Sequence, residues 1–196
     1  MHSISLLERI STSFVPNSVF NNFEKAVPEI RILKIAGWII SQWRNIPKDG
    51  IDASKPYNPI RGEIFSCFWQ HDEDGSTTHF IAEQVCHHPP ISAFYSYNIK
   101  KGYVFDGFME PKTSFSLGSA TTSCVGRYTI NCFQFGETYE IDMPKVTASG
   151  LLFGKKELTV TGDFSIHCQK NEFGLKVNFG VFIIIKIRTK TKFLGN

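Results

Sequence analysis

The fold is decided at Glu83-Gln84-Val85-Cys86-His87-His88-Pro89-Pro90, where a strand-like run ends in two histidines and two prolines. The prolines supply no N–H to a sheet ladder, so a strand has to stop there. A titratable pair at the point where a chain leaves a sheet is the usual geometry of a ligand contact, because the strand supplies rigidity and the break supplies access. We therefore expect the binding site of this protein at this corner.

The two histidines form a candidate site for an anion. Successive side chains on a regular strand point to opposite faces, so His87 and His88 share a ligand only if the strand is broken. The prolines break it and hold His88 in an extended or polyproline conformation. Imidazole suits a phosphate monoester, because it donates a hydrogen bond when neutral and adds a full positive charge when protonated.

Three other chemistries fit this corner less well. Zinc held by His79, Glu83 and His87 needs a helix for that spacing, and the run 78–85 has the composition of a strand. Neighbouring strand residues diverge, so Cys86 and His87 do not form a nucleophilic dyad. Neither Gly-x-Gly-x-x-Gly nor Gly-Lys-Ser/Thr occurs in the chain. The sequence thus predicts a binding protein without a metal, a cofactor or an enzymatic centre.

A second constellation lies at Lys55-Pro56-Tyr57-Asn58-Pro59-Ile60-Arg61-Gly62-Glu63. Its prolines fix most of the backbone of this segment, while Lys55 and Asn58 project a cation and an amide from it. A rigid backbone that carries a lysine suits an anion site, although a lysine at the edge of a loop is more often simply solvated.

Helices are predicted ahead of residue 45. Apolar residues three or four apart are typical of a short amphipathic helix over residues 4–14, which either docks on its own core or serves as a mobile lid or membrane-facing segment. Ser18 is the candidate N-cap of a second helix that ends near Pro28. The third helix is predicted at 29–44. One face of this third helix carries Ile30, Leu33, Gly37, Ile40 and Trp43.

From residue 55 onward the pattern changes to short strands. Asp72-Glu73-Asp74-Gly75-Ser76 is typical of a hairpin turn, so 63–70 and 78–85 are expected to pair antiparallel. Further strands are predicted at 91–99, 103–109, 113–119, 126–133, 138–144, 157–162 and 164–169. This spacing indicates a meander that closes toward a barrel or sandwich. Residues 181–196 are one more strand with a basic end or a frayed tail.

Composition narrows the class of partner. A net charge of +3 without a clustered basic face argues against nucleic acid and permits weak attraction to an anionic membrane. The 18 phenylalanines suit either an apolar cavity or a Phe-rich core. Five cysteines without a C-x-x-C pair are typical of reduced, mostly buried thiols in the cytosol. No signal-peptide pattern and no apolar run of about 18 residues occurs, which also favours the cytosol.

Together the two constellations resemble a known family. Lys-Pro-Tyr-Asn-Pro-Ile-x-Gly-Glu, followed about 20 residues later by Glu-Gln-Val-Cys-His-His-Pro-Pro-Ile-Ser-Ala-Phe, is similar to the oxysterol-binding protein (OSBP-related) family of lipid-transfer proteins. The family fingerprint is Glu-Gln-Val-Ser-His-His-Pro-Pro, and one position differs here. The resemblance to the family runs from Ser18 to Phe179, and Trp38 and Trp43 lie on the predicted helix that precedes the Lys-Pro motif.

The resemblance implies a large, nearly closed antiparallel β-barrel with an apolar tunnel, an N-terminal lid and a basic entrance. It implies that Lys55, His87 and His88 hold the phosphorylated head group of phosphatidylinositol 4-phosphate, with Asn58 at the same entrance. Gln42 and Tyr57 become candidate contacts to a sterol or to the tunnel. The second cargo implied is sterol, phosphatidylserine or another lipid.

The chain departs from the family pattern in four ways. Cys86 replaces serine, Arg61 stands where an apolar residue is usual, and only residues 1–14 remain for the lid. The family's domain is nearly twice as long, and its C-terminal half supplies further Lys, Glu and Arg ligands that have no counterpart after Phe179. We therefore expect a domain truncated at the C-terminus.

The sequence predicts a mainly β (α+β) fold, an antiparallel, incomplete β-barrel preceded by short N-terminal helices. Residues 1–54 form a lid-like and helical segment, 55–180 the barrel part, and 181–196 a divergent tail. The predicted function is lipid binding and non-vesicular lipid transfer between cytosolic membrane faces by a cytoplasmic protein that contacts membranes peripherally. The alternative is a transport-inactive interaction or regulatory protein that associates with membranes or a partner.

Overall fold

The structure is a computed structural model that describes residues 5–13, 19–43, 56–179 and 183–189. Its helices are α1 (Leu6–Ser13), a short 3-10 helix (Phe23–Lys25) and α2 (Pro28–Trp43). Ten strands follow: β1 (Ile64–His71), β2 (Ser76–Cys86), β3 (Ile91–Asn98), β4 (Tyr103–Ser116), β5 (Ser119–Cys132), β6 (Glu137–Asp142), β7 (Lys145–Ser149), β8 (Glu157–Cys168), β9 (Phe173–Phe179) and β10 (Ile183–Thr189).

The ten strands form a single antiparallel sheet. Its order is β1-β2-β3-β4-β5-β6-β8-β9-β10, and β7 pairs with β5 and β8. Residues 137–149 thus act as one strand interrupted at Met143-Pro144, with β6 and β7 filling the space between β5 and β8. Among the described residues β1 and β10 each have a single neighbour, so the sheet is not closed. The predicted incomplete antiparallel barrel preceded by helices is confirmed.

Both helices pack on the sheet, near its two edges. The first helix, α1, contacts β1 and β2, and its Leu7 and Ile10 are buried. The longer helix, α2, contacts β8 and β9 and reaches β4, where Trp38 meets Phe105 edge to face at 5.3 Å. The first helix is docked on the sheet in the structure, and its role as a lid stays a prediction. No helix in the described part of the chain is long and apolar enough to cross a membrane.

Much of the phenylalanine content is used in packing. Strand alternation turns Phe80, Phe94, Phe105 and Phe164 to the buried face, where they belong to the hydrophobic core. Phe94 packs against Phe105 at 5.0 Å and against Tyr128 at 6.0 Å. These side chains therefore form a Phe-rich core, the plainer of the two interpretations of the composition.

The prediction of a second helix after Ser18 is wrong where it can be checked. Residues 19–22 form turns and only Phe23–Lys25 is helical, as a single 3-10 turn. Asn22 takes a left-handed conformation with φ of 55°, which Asn tolerates better than most residues and which stops an α-helix from starting. The apolar spacing reflects packing instead, because Phe20 stacks on Tyr103 at 4.0 Å.

The third helix is confirmed within one residue at each end of the predicted 29–44. Of the residues predicted on its apolar face, Leu33, Ile40 and Trp43 pack half-buried against the core. Gly37 is exposed, and Ile30 is 45% exposed. The buried residues are Arg31, Ile32, Ile35, Ala36, Trp38 and Ile39. Packing on the sheet therefore buries most completely a side of α2 other than the predicted face.

Several predicted strands join into longer ones. The run 103–109 and most of the run 113–119 belong to β4, which ends at Ser116, so the second run was predicted to continue through the turn at 117–118 into β5. Strand β4 passes through Pro111, because β3 stops opposite Met109 and leaves that side of β4 without a neighbour among the described residues. The runs 157–162 and 164–169 lie in β8 except for Gln169, and the strand changes its partner from β7 to β9 at Gly162, which has φ of 79° and pairs with Phe179. Strands β7 and β9 were missed, and within 181–196 the described residues form strand β10.

Candidate functional site

The two histidines lie in the four-residue loop that joins β2 to β3. Cys86 pairs with Ile91 across the base of this loop, and the pairing register shifts between Gln84 and Cys86, which marks a β-bulge just before the histidines. The rings of His87 and His88 lie 4.4 Å apart at 61°. The bulge and the loop thus bring two neighbouring imidazoles together, where a regular strand would separate them.

A hydrogen bond ties this loop to the segment that carries the Lys-Pro motif. His87 Nδ1 lies 3.2 Å from the carbonyl oxygen of Pro59. A carbonyl only accepts, so Nδ1 is the donor and Nε2 stays available for a ligand. His88 is exposed and His87 is half-buried, so both imidazoles lie at the surface of the corner.

The chain ahead of β1 is fastened by the N-terminal residues. Leu6 N donates to Tyr57 O at 3.0 Å, and Ser5 pairs with Tyr57 as an isolated parallel bridge. Glu63 accepts from Ser5 Oγ at 2.6 Å and from Ile60 N at 3.1 Å. Sequence reasoning missed Ser5 and Glu63 as residues that hold this segment in place. The position of Glu63 at the end of the Lys-Pro motif could have indicated its role.

Buried Gln84 supports the corner from below. Its Nε2 donates to the carbonyl oxygen of Cys86 at 2.9 Å, and its Oε1 accepts a short hydrogen bond from Ser92 Oγ on β3. Its backbone also exchanges hydrogen bonds with Gly62 and Glu63. One fully buried amide therefore links the end of β2, the start of β3 and the chain ahead of β1.

Replacing Gln84 with leucine is expected to lower the free energy of unfolding by about 1–3 kcal/mol, because the Cys86 carbonyl and the Ser92 hydroxyl lose a buried partner. Urea denaturation measures this change. The matched control is Glu83→Gln, one residue earlier and exposed, which is expected to stay within about 0.5 kcal/mol of wild type. Equal midpoints for the two variants would contradict a supporting role for Gln84.

Comparison with known proteins identifies the family. The family model described as Oxysterol-binding protein matches residues 1–191. The chain belongs to the oxysterol-binding protein family. Oxysterol-binding protein-related protein 8 of Homo sapiens is 38% identical over 152 residues, which are 78% of this chain and 17% of that protein. Oxysterol-binding protein 4 of Dictyostelium discoideum is 32% identical over 176 residues, 89% of this chain and 37% of that protein.

Solved structures support the fold of this family member. An Osh1 ORD domain in complex with cholesterol superposes with a TM-score of 0.82 at 22% identity, covering 95% of this chain and 45% of that one. The Osh3 ORD in complex with PI(4)P from Saccharomyces cerevisiae gives a TM-score of 0.76 at 20% identity, covering 94% of this chain and 50% of that one. This oxysterol-binding protein family member thus spans half or less of these relatives and structures. The names of the matching family and of these relatives describe binding proteins.

The residues that the family resemblance selected are only partly described. Lys55 lies outside the described residues, while Asn58 is exposed and Tyr57 is 67% exposed. Gln42 lies on the last turn of α2, where its Nε2 donates to Trp38 O at 3.3 Å. The roles of all four stay predictions.

The two residues that depart from the family pattern are accommodated locally. Arg61 is exposed in the turn ahead of β1, so its side chain stays out of the core. Cys86 is half-buried at the end of β2. All five cysteines are free thiols, two of them buried and three half-buried, and burial raises the pKa of Cys132 to about 12.

Two cavities lie away from the histidine corner. One of about 370 Å³ adjoins the turns at 72–75 and 99–102, and one of about 320 Å³ lies beside Tyr95, Tyr97 and Phe133. Neither contains a predicted site residue. In the described part of the chain no group of three or more His, Cys, Asp or Glu side chains is arranged to hold a metal ion.

Proposed function

We propose that this protein binds a membrane lipid and moves it between cytosolic membrane faces, and that the histidine corner holds the phosphate of phosphatidylinositol 4-phosphate. The ligands proposed are His87, His88, Lys55 and Asn58. The observation that supports this most directly is the bond from His87 to the Pro59 carbonyl, because it joins the two family motifs at one place. The Osh3 domain in complex with PI(4)P, which shares this fold, is consistent with the proposal.

The chemistry of the corner suits a phosphate monoester. Nδ1 of His87 is occupied by a backbone carbonyl, so only Nε2 can turn to a ligand. When both imidazoles are protonated, two charge-assisted donors face the phosphate, and Lys55 adds a third cation. An exposed position next to a rigid strand end leaves this set accessible to a head group in a membrane.

The second cargo proposed is a sterol or another phospholipid such as phosphatidylserine, with Gln42 and Tyr57 as contacts. The Osh1 domain in complex with cholesterol shares the fold, which supports a sterol as one candidate. The proposed setting is the cytoplasm, with peripheral contact to membranes.

Extraction of phosphatidylinositol 4-phosphate from liposomes tests the head-group assignment. The double variant His87→Ala/His88→Ala is expected to take up this lipid at least about tenfold less than wild type, because a hydrogen bond to a charged group contributes about 1.5–3 kcal/mol. Equal uptake by variant and wild type would refute the roles of the two histidines.

A histidine elsewhere on β2 provides the control. His79 is exposed on the outer face of the sheet, where its ring stacks on Tyr97 at 5.0 Å. His79→Ala is expected to leave uptake of phosphatidylinositol 4-phosphate unchanged. Thermal melting of both variants shows whether any loss of uptake comes from unfolding.

A second candidate function is that of a transport-inactive protein that acts through a partner. The observation that favours it is the pair of strands β1 and β10, each of which has one side without a neighbour among the described residues. Native mass spectrometry of the chain isolated from cells separates the two functions. A retained lipid supports transfer, and a bound protein without lipid supports the second candidate.

A further inference from the structure

Two adjoining turns at one end of the sheet expose large apolar side chains. The turn Leu117-Gly118 joins β4 to β5, and the loop 150–156 joins β7 to β8. Leu151 N donates to Gly118 O at 3.0 Å, which fixes the two turns side by side. We call their exposed side chains the apolar tip. It consists of Phe115 (80% exposed), Leu117 (93%), Leu151 (43%), Leu152 (56%) and Phe153 (90%).

The loop that carries three of the five tip residues is closed by its own backbone. Gly150 has φ of 71°, and a Cβ at this position would lie 2.1 Å from the carbonyl oxygen of Lys155. Only glycine allows the two ends of the loop to approach so closely. Leu152 and Phe153 are therefore held outward on a compact loop.

The apolar tip projects from the same end of the sheet as the histidine corner. The pairing of β3 with β4 begins at Ser92 and Met109, next to the histidine loop. From Met109, β4 continues to Ser116, and β5 is its only strand neighbour there among the described residues. At about 3.3 Å per residue, these seven residues carry the tip roughly 23 Å beyond the corner. Along the direction of β4, the apolar tip therefore lies beyond the described histidine corner.

Charge distinguishes the apolar tip from the opposite end of the sheet. Lys155 and Lys156 follow the tip directly and precede Glu157, and neither 111–125 nor 143–156 contains an acidic residue. The opposite end carries Asp72, Glu73, Asp74 and Glu172 in its connections, together with Lys100, Lys101 and Lys170. Exposed aromatic and leucine side chains flanked by lysines are the composition that anchors proteins at the interface of an anionic bilayer.

We propose that the apolar tip inserts into the interfacial layer of an anionic phospholipid bilayer. Insertion of Leu117, Leu152 and Phe153 removes exposed apolar surface from water, and Lys155 and Lys156 meet the lipid phosphates. One consequence of insertion is that the histidine corner then faces the same membrane, and only this consequence rests on the proposed function. Insertion itself requires no phosphoinositide.

Flotation with vesicles of phosphatidylcholine and about one third phosphatidylserine, without phosphoinositide, tests the inference. The variant Leu117→Glu/Phe153→Glu is expected to reduce the bound fraction, expressed as a partition coefficient, by at least about tenfold. The matched control is Ile99→Glu/Phe133→Glu at the opposite end, where the side chains are 85% and 67% exposed. The control is expected to bind these vesicles like wild type.

Two further measurements separate insertion from simple charge attraction. Lys155→Gln/Lys156→Gln is expected to weaken binding several-fold and to reduce its sensitivity to salt, because screening acts on the lysines and not on the apolar side chains. Phe153→Trp is expected to shift its fluorescence to the blue on addition of vesicles. An unshifted spectrum with full binding would contradict insertion.

The remaining outcomes decide between occupants of the tip. Equal vesicle binding by wild type and the Leu117→Glu/Phe153→Glu variant overturns the inference. It is also overturned if size-exclusion chromatography shows that wild type is a dimer and that this variant is a monomer. Loss of phosphatidylinositol 4-phosphate uptake in the histidine variant with normal vesicle binding leaves the inference intact. Normal uptake of phosphatidylinositol 4-phosphate by the histidine variant refutes the head-group assignment but does not bear on insertion of the apolar tip.

Discussion

Replacing Glu137 with glutamine is expected to lower the free energy of unfolding by about 3–5 kcal/mol, the cost of leaving a buried cation without its partner. Arg31 on α2 donates through Nε to Glu137 Oε2 at 2.8 Å and through Nη2 to Oε1, and both side chains are buried. Tyr139 Oη also donates to Oε2, at 2.6 Å. Thermal or urea unfolding measures the loss.

An exposed ion pair supplies the control for this prediction. Lys176 Nζ lies 2.6 Å from Asp163 Oδ2, but the lysine side chain is 61% exposed. Lys176→Gln is expected to change the unfolding free energy by less than about 1 kcal/mol, because water solvates the remaining carboxylate. A loss of similar size in the two variants would show that burial of Arg31 and Glu137 does not decide their contribution.

The same pair predicts a pH dependence. Burial acts to raise the pKa of Glu137, but hydrogen bonds from Arg31 and Tyr139 outweigh it and hold the pKa below the usual value of 4.5. The stabilisation is therefore complete above about pH 4.5 and is lost as the pH falls through the lower folded-state pKa. The decrease in stability of wild type on acidification is expected to shrink in Glu137→Gln.

A double variant separates the pair from its surroundings. Removing both charges in Arg31→Leu/Glu137→Leu is expected to cost less than the sum of the two single changes, since neither residue is left as an unpaired buried charge. Additive losses would mean that the two residues stabilise the fold independently.

Replacing Phe105 with alanine is expected to cost about 3–5 kcal/mol of unfolding free energy, the usual range for a buried phenylalanine. Phe105 is fully buried on β4, between Trp38 of α2 at 5.3 Å and Phe94 of β3 at 5.0 Å. Its removal opens a cavity between helix and sheet. Near-ultraviolet circular dichroism is expected to report loosened packing of Trp38 as well as the lower stability.

The control for this change lies on the same strand. Phe115 is 80% exposed, so Phe115→Ala is expected to change the unfolding free energy by less than about 0.5 kcal/mol. Because both phenylalanines belong to β4, a difference between the variants measures burial and not strand propensity. Similar losses would contradict the assignment of Phe105 to the core.

Local patterns in the sequence predicted where most of the sheet would form. Alternating apolar residues on either side of Asp74-Gly75 gave the hairpin of β1 and β2, and the prolines after His88 gave the loop before β3. Glycine and proline misled the prediction at Pro111 and Gly162, because β4 and β8 continue through both. Whether a proline or glycine ends a strand depends on whether a neighbouring strand pairs with it on the side where its backbone cannot hydrogen-bond regularly.

The histidine corner was predictable in part. The motif selected His87 and His88, but nothing local indicated that the Pro59 carbonyl would fix one ring or that Gln84 would hold the loop from below. These contacts join residues brought together by strand register, and register follows from the packing of the whole sheet. The apolar tip was missed for the same reason, since its two turns are about 35 residues apart in sequence.

The sequence by itself determined the class of the fold, the family and the position of the histidine loop, because strand alternation, turn residues and a short motif are local properties of the chain. The tertiary structure alone decided which face of α2 is buried, that Arg31 meets Glu137, and which apolar side chains remain outside. An amphipathic element carries its pattern alone, but the surface that covers it comes from distant residues, so burial and charge pairing are settled only when the sheet and helices pack.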